Sequence, residues 1–399
     1  MRPLILVLNA GSSSIKFELF ADEKLRSVLS GLIESIGTEC AQLRYTWNGE
    51  KHQQPLGLIN FQQALMQAFQ IYRQCAPADG KLCAVGHRVV HGGELFTQPT
   101  LVTEEVLQQI ERCNVLAPLH NPSNLFGMVT AMQDFPEVPQ VAVFDTAFHQ
   151  TLPDYAYLYA LPYGYYADYG VRRYGFHGIN YQYLVRQSAK IIGVEENQLS
   201  IIAAHLGNGC SVCAVHAGKS VDVSMGCTPL EGLIMGTRSG DLDPGLFQYL
   251  TKQLNCSVEE INTILTKKSG LLGVSGQSHD MRVLQQAAQA GDIRAQLAIE
   301  MFCYRLAKYI AAFMVPLGSI HALVFSGGIG EYAAEIRQKT LVRLAFLGFH
   351  IDSAANANHG AAQQGRITSA ESICALVIAA QEELMIAETA MQLVCQGEV

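Results

Sequence analysis

The chain of 399 residues is short of charge, with 16% Asp, Glu, Lys and Arg, and short of proline, with 13 residues. It is not short of apolar material, at 49%, so the composition is that of packed cores and leaves no room for a long disordered segment. A cationic surplus is missing too, since the net charge is −8. That argues against nucleic-acid and membrane-surface partners, which need a positive field, and leaves room only for a local basic pocket. The longest apolar stretch, Tyr309 to Phe325, is interrupted by Pro316, Gly318 and His321. It reads as a helix end, a turn and a buried strand, and no membrane span is expected. Arg2 precedes an apolar run, but about five residues fall short of a secretory h-region. The 11 cysteines form no spaced framework, which points to reduced thiols and a cytoplasmic chain. Cys210 and Cys213 match C-x-x-C, yet they lie in an alternating apolar strand and read as packing.

At about 100 to 200 residues per domain, the length accommodates two or three domains. The segment "LILVLNAGSSSIKFELF" (4–20) runs as a strand into a glycine and three serines and resumes as a strand in which Ile15, Phe17 and Leu19 alternate with Lys16 and Glu18. This predicts a hairpin whose tip is rich in hydroxyls. Next come "CAVGHRVVHGG", an amphipathic stretch over 103–115 with Thr103 as N-cap, and "QVAVFDTAFHQT". Such alternation of strand and helix patterns is α/β. The tyrosine-rich "YAYLYALPYGYYADYGVRRYGFHG" is expected to pack at a domain boundary or a subunit surface. "LSIIAAHLGNGCSVCAVHAGKSV" (199–221) repeats the strand, turn, strand logic of the first hairpin, which suggests two related lobes facing a cleft. A third glycine turn, "ALVFSGGIGE" (322–331), follows an apolar strand and opens a helix, where the backbone can approach an anion. In the closing "QEELMIAETAMQLV", Leu384, Ala387, Met391 and Val394 are expected on the buried stripe, with Glu382 and Glu383 suited to the helix dipole.

Neither G-x-x-x-x-G-K-[ST] nor G-x-G-x-x-G after a strand is present, so the P-loop and dinucleotide fingerprints are both missing. His87 and His91 are expected to share one face of a strand, but no further ligand is spaced to complete a zinc site. A Ser-His-Asp hydrolase would need G-x-S-x-G, which is lacking. What the sequence does offer is small polar turns beside isolated cations: Lys16, Arg88 in "GHRVVHGG", Arg238 in "MGTRSGDLDPG" and Arg282 in "SHDMRV". Each adjoins Gly, Ser or His at the end of an apolar run, where sites of open α/β sheets lie.

The ordered blocks "VLNAGSSSIKF", "GHRVVHGG", "APLHNP", "VAVFDTAFHQT", "RRYGFHG", "AHLGNG", "TPLEGLIMGTRSGDLDP", "SGLLGVSG", "FSGGIGE" and "EELMIA" closely resemble the acetate kinase family, which includes propionate kinases. The resemblance implies an α/β fold of two related actin/hexokinase-like (ribonuclease H-like) lobes around a central nucleotide cleft. It implies an N-terminal lobe over 1–147 completed by the closing helix over 382–399, and a C-terminal lobe over 148–381 that binds nucleotide and dimerises. The implied reaction is reversible phosphoryl transfer from ATP to the acetate carboxylate, giving acetyl phosphate and ADP with Mg2+, or Mn2+ as the alternative ion. The expected form is a homodimer without nucleic-acid or membrane partners, and propionate is the alternative substrate.

Carried over position by position, Asn9 and Glu382 match the metal-holding residues. Arg88, Arg238, Asp145, His177 and His120 match the catalytic groups. The acid pocket falls on Arg88, Val90, Leu119, Phe176 and Pro229. The nucleotide residues fall on Ser12, Lys16, His205, Leu206, Gly207, Asn208, Gly209, Asp280, Met281, Arg282, Gly327, Gly328, Ile329, Gly330 and Glu331. Val90 is expected to favour acetate, because the propionate kinases resemble this segment with alanine in its place. The chain departs from the family where Ile179, Asn180 and Tyr181 replace Thr-Ser-His, and again at Tyr332 and Gln381. A sugar kinase of the same superfold would need a base and a polar pocket, whereas the expected pocket is apolar. A nucleotide-gated binding protein would bind ATP without acetate-dependent turnover.

Overall fold

The computed structural model describes residues 1–118 and 120–396. The chain divides into two compact units, one of residues 1–148 with 381–399 and one of residues 149–380. Among the described residues the first unit holds β1 (Arg2–Ala10), β2 (Ile15–Ala21), β3 (Arg26–Glu34), β4 (Gln42–Trp47), β5 (Glu50–Pro55), β6 (Gly80–Val89), β7 (Thr100–Leu101) and β8 (Gln140–Phe144) in one sheet, ordered β5-β4-β3-β2-β1-β6-β8-β7. The second unit holds β9 (Ile201–Leu206), β10 (Cys210–His216), β11 (Lys219–Val223), β12 (Ala322–Ser326) and β13 (Cys374–Val377), ordered β11-β10-β9-β12-β13.

The same plan recurs in both sheets. β1, β2 and β3 are antiparallel neighbours, while β6 and β8 join β1 in parallel on its other side. β9, β10 and β11 repeat the meander, and β12 and β13 repeat the parallel half. The likeness of the two hairpins in the sequence therefore reflects a shared topology, and the expected fold of two related α/β lobes holds.

Alternation places Ile15, Phe17 and Leu19 in the first core together with Leu4, Leu6 and Leu8 of β1. The helix Phe61–Cys75 covers them with a stripe of Ala64, Leu65, Ala68, Phe69, Tyr72 and Cys75. Its start is fixed by a capping box, in which Asn60 Oδ1 accepts from Gln63 N and Gln63 Oε1 accepts from Asn60 N, each at 2.9 Å. Thr103 caps the helix Glu104–Arg112 as expected, accepting from Val106 N. The closing helix Glu382–Gln396 packs on β1 and β6 within the first unit. Its buried residues are Glu383, Met385, Ile386, Ala387 and Ala390, while Leu384, Met391 and Val394 are only half-buried. Of the expected stripe Ala387 alone is buried, and the buried face is turned so that it takes in Glu383.

His91 lies beyond β6, not on it; His87 Nε2 bonds Gln140 Oε1 at 2.7 Å, whereas His91 Nδ1 accepts from Gly93 N at 3.0 Å. The expectation of a shared strand face fails because β6 ends at Val89. Cys210 and Cys213 are both buried, and burial pushes both thiols up, Cys210 to about 12, away from the thiolate that metal or redox chemistry needs. Tyr309 to Phe325 folds as read, the end of helix Ile293–Leu317, a turn and the buried strand β12. In the tyrosine-rich segment Tyr155, Tyr163 and Tyr169 are exposed. No helix among the described residues is long and apolar enough to cross a membrane.

Candidate active site

In the first unit, register brings the carboxyl ends of three parallel strands together. Leu8 of β1 pairs with His87 of β6, and Val89 of β6 pairs with Phe144 of β8, so Asn9, Arg88 and Asp145 follow at one edge. Arg88 Nη2 lies 2.6 Å from Asp145 Oδ2, Nε lies 3.1 and 3.2 Å from the two carboxylate oxygens, and Nη1 lies 3.3 Å from Asn9 Oδ1. This fork grips both oxygens of a buried carboxylate, a pairing that fixes the guanidinium plane as well as its charge. Burial opposes the Arg88 charge, but Asp145, Glu382 and Glu383 outweigh it, and the guanidinium is held more firmly protonated than usual.

The closing helix adds a second pair. Lys16 Nζ lies 2.6 Å from Glu383 Oε2, which ties the start of β2 to the helix start. Burial weakens the Lys16 ammonium, yet Glu383, Glu18 and Glu382 together raise it above the usual lysine range. Burial also raises the Glu382 carboxyl, and Glu383 pushes it the same way, against Arg88 and Lys16. Glu383 Oε1 is buried without a hydrogen-bond partner. Glu383 is thus more than an acid suited to the helix dipole; its place beside Glu382 is the available signal in the sequence.

Val90 is buried, and its N–H donates to Asn124 Oδ1 at 3.0 Å, while Asn121 takes the N–H of His91 at 3.1 Å. Both asparagines belong to the helix Asn121–Asp134, at whose N-cap His120 stands. Leu119 lies outside the described residues. Gly11 N donates to Ser14 O at 2.9 Å to close the first hairpin, leaving Ser12 exposed at its tip.

In the second unit, His177 precedes the helix Gly178–Ile192 with φ of 60°, a left-handed conformation that costs a non-glycine residue energy and clusters at functional sites. Its ring stacks on His205 with centroids 4.2 Å apart. His177 Nδ1 lies 2.8 Å from Ser211 Oγ, which lies 2.5 Å from Tyr181 Oη. His205 Nδ1 is 2.9 Å from Asn180 Nδ2, which also donates to Ser326 Oγ at 3.2 Å. A Cβ placed on Gly209 would lie 3.5 Å from His177 Nε2 and 3.6 Å from Arg238 Nη1, so both groups flank the second hairpin's turn. Arg238 Nη1 donates to Pro229 O at 3.0 Å, and Gly236 N donates to Asn208 O at 3.0 Å. His177, His205, Gly207, Asn208, Gly209, Pro229 and Arg238 therefore form one neighbourhood, with Phe176 buried beside it.

Gly327 starts the third turn with φ of 76°, and a Cβ there would lie 2.8 Å from Leu206 O. Only glycine fits that approach, which sets the turn of Gly327, Gly328, Ile329, Gly330 and Glu331 against the end of β9. Glu331 Oε1 accepts from Ala380 N at 2.9 Å. Asp280 caps the helix Met281–Gln289 and pairs with the exposed Arg282 at 2.6 Å. Leu206 and Met281 have buried side chains, so either would meet a ligand through its backbone. Tyr181, Ser211 and Asn180 were not singled out as site residues; the signal was the departure at 179–181.

The described groups suit anion chemistry: fixed cations, a hydrogen-bonded histidine cluster and glycine turns. The model of the Acetokinase family matches residues 4–388. The acetate kinase of Shewanella frigidimarina is 48% identical over 98% of this chain and 98% of its own. A solved propionate kinase from Francisella tularensis is 45% identical, with a TM-score of 0.93 over 98% of this chain and 99% of that one. The acetate kinase of Porphyromonas gingivalis is 40% identical, with a TM-score of 0.89 over 98% and 100%. The chain belongs to the acetokinase family.

Proposed function

We propose that the chain is an acetate kinase, transferring the γ-phosphoryl group of ATP reversibly to the acetate carboxylate to give acetyl phosphate and ADP. The observation that carries this reading is Arg88, a fixed cation gripped by buried Asp145 and flanked by Asn9 and Val90. Acetate, with a pKa of about 4, is already ionised at pH 7 and requires no general base. It requires charge neutralisation, because an anion must attack a polyanion, and positioning with electrostatics is the main demand of phosphoryl transfer. Asp145 serves as the orienting group for Arg88 and not as a base, since both its oxygens are engaged by the guanidinium.

Arg238, His177 and Asn208 are assigned to the phosphoryl group together with His120. The nucleotide is assigned to Ser12, Lys16, His205 to Gly209, Asp280 to Arg282 and Gly327 to Glu331. Asn9 and Glu382 are assigned to a divalent ion, Mg2+ first and Mn2+ as the alternative. Their oxygen donors suit it, and the unpartnered Oε1 of Glu383, the neighbour of Glu382, favours a cation there. Once bound, such an ion neutralises phosphate charge.

Propionate kinase is not favoured. The curated relatives at 47–48% identity are named acetate kinase, and buried Val90 limits room for a further methylene. The exposed Tyr155, Tyr163 and Tyr169 support a homodimer, and a cytoplasmic location accords with the free cysteines. ADP release with acetate, propionate and butyrate, each with and without Mg2+, tests the reading. Mg2+-dependent release with acetate as the best acid is expected; a preference for propionate, or no dependence on any acid, would sink it.

A further inference from the structure

Tyr181 is wholly buried; Ser211 Oγ lies 2.5 Å from its hydroxyl oxygen, which also takes a backbone hydrogen bond from His205. Ser211 is also buried and touches His177 Nδ1 at 2.8 Å. Each hydroxyl has one proton to give and its oxygen can accept two bonds, so the line Tyr181, Ser211, His177 has three arrangements. In the first, protons point from Tyr181 toward His177. In the other two, His177 Nδ1–H donates to Ser211, and either the Tyr181 proton or the Ser211 proton is left without an acceptor. Burying a hydroxyl proton without a partner is costly, which selects the first arrangement. Burial also holds the Tyr181 phenol well above its usual range, so the proton stays on oxygen.

We propose that Ser211, held by Tyr181, is a positioning residue that sets the tautomer of His177: Tyr181 O–H donates to Ser211 Oγ, Ser211 O–H donates to His177 Nδ1, and the ring proton is held on Nε2. The stack on His205 fixes the ring plane, and Nε2 is the nitrogen on the side of Gly209 and Arg238. His177 therefore presents an N–H there. An N–H stabilises oxygens gaining negative charge, whereas the other tautomer would present a lone pair and repel them. What the N–H serves rests on the acetate kinase reading; the tautomer itself does not.

The test combines spectroscopy with kinetics on the full chain. Long-range 1H–15N spectra of histidine-labelled protein, with His177 assigned by loss of its signals in His177→Asn, read the two nitrogens directly. The wild type is expected to show unprotonated Nδ1 and protonated Nε2. Ser211→Ala removes the hydroxyl that donates to Nδ1; it should give a mixture of tautomers and lower kcat about tenfold to hundredfold, as when the partner orienting a functional histidine is lost, with KM for ATP nearly unchanged. Should that variant fail to fold, Ser211→Cys, whose thiol is a weak donor, is read in the same way. Protonated Nδ1 in the wild type, or unchanged spectra and kcat in the variants, overturns the proposal. The expected spectra in a protein without acetate-dependent turnover would uphold the positioning and overturn the functional reading instead.

Discussion

In the unit built on β1, β6 and β8, the polar groups at the strand ends are ionic: Arg88 on Asp145 and Lys16 on Glu383, at 2.6 Å each. In the unit built on β9, β12 and β13, the corresponding groups include two stacked histidines, a serine, a tyrosine and an asparagine joined by hydrogen bonds. The sheets share one topology, so the contrast comes from side chains and not from the backbone plan. A paired cation keeps its charge and its plane against burial. A hydrogen-bonded ring keeps a direction, with a donor on one side and an acceptor on the other.

Breaking the ionic side should have the largest effect. Arg88→Ala leaves the buried Asp145 without the guanidinium that neutralises it, so activity should fall by a factor on the order of a thousand and stability by about 3 to 5 kcal/mol, measured by steady-state kinetics and urea unfolding. Asp145→Asn keeps the shape but loses the charge that fixes Arg88. A fall in kcat on the order of a hundredfold at saturating Mg2+ is expected, and full activity would remove Asp145 from the account.

Each unit also holds a buried neutral histidine, His87 in the first and His149 in the second. Burial lowers His87 and His149 from 6.5 to about 4, against the hydrogen bonds of Gln140 and Phe176. Between those values the unfolded chain binds more protons than the folded one, so stability is complete above pH 6.5 and declines as the pH falls toward 4. Urea midpoints at pH 7, 6 and 5 should fall in step, and His87→Gln should flatten the decline in part. The smallest effect belongs to Val90→Ala. It should narrow the acetate preference over propionate by about fourfold in kcat/KM, from about 0.8 kcal/mol for one methylene.

Strand alternation and the two hairpin tips were legible because their period is local, and the α/β alternation followed from them. The contiguity of Asn9, Arg88 and Asp145 was not legible from spacing, because it depends on the parallel register of β1, β6 and β8, set by contacts far apart in sequence; the family resemblance supplied it. Helical periodicity placed the closing stripe on Leu384 and Met391, since counting apolar residues alone passes over a buried glutamate. Glu383 is inside because Lys16, from a strand more than 360 residues earlier, meets it there. The line from Tyr181 to His177 was hidden for a similar reason: Ser211 comes from β10, and nothing in "GINYQ" names it.

The central claim is that a carboxylate anion receives the phosphoryl group with Arg88 as the cation beside it. Hydroxylamine converts an acyl phosphate into a hydroxamate, so trapping it from acetate, ATP and Mg2+ reads the product itself. Acetohydroxamate should form with the wild type in proportion to ADP and should be nearly lost with Arg88→Ala. ADP release without hydroxamate, or hydroxamate at the wild-type rate from Arg88→Ala, would contradict the account.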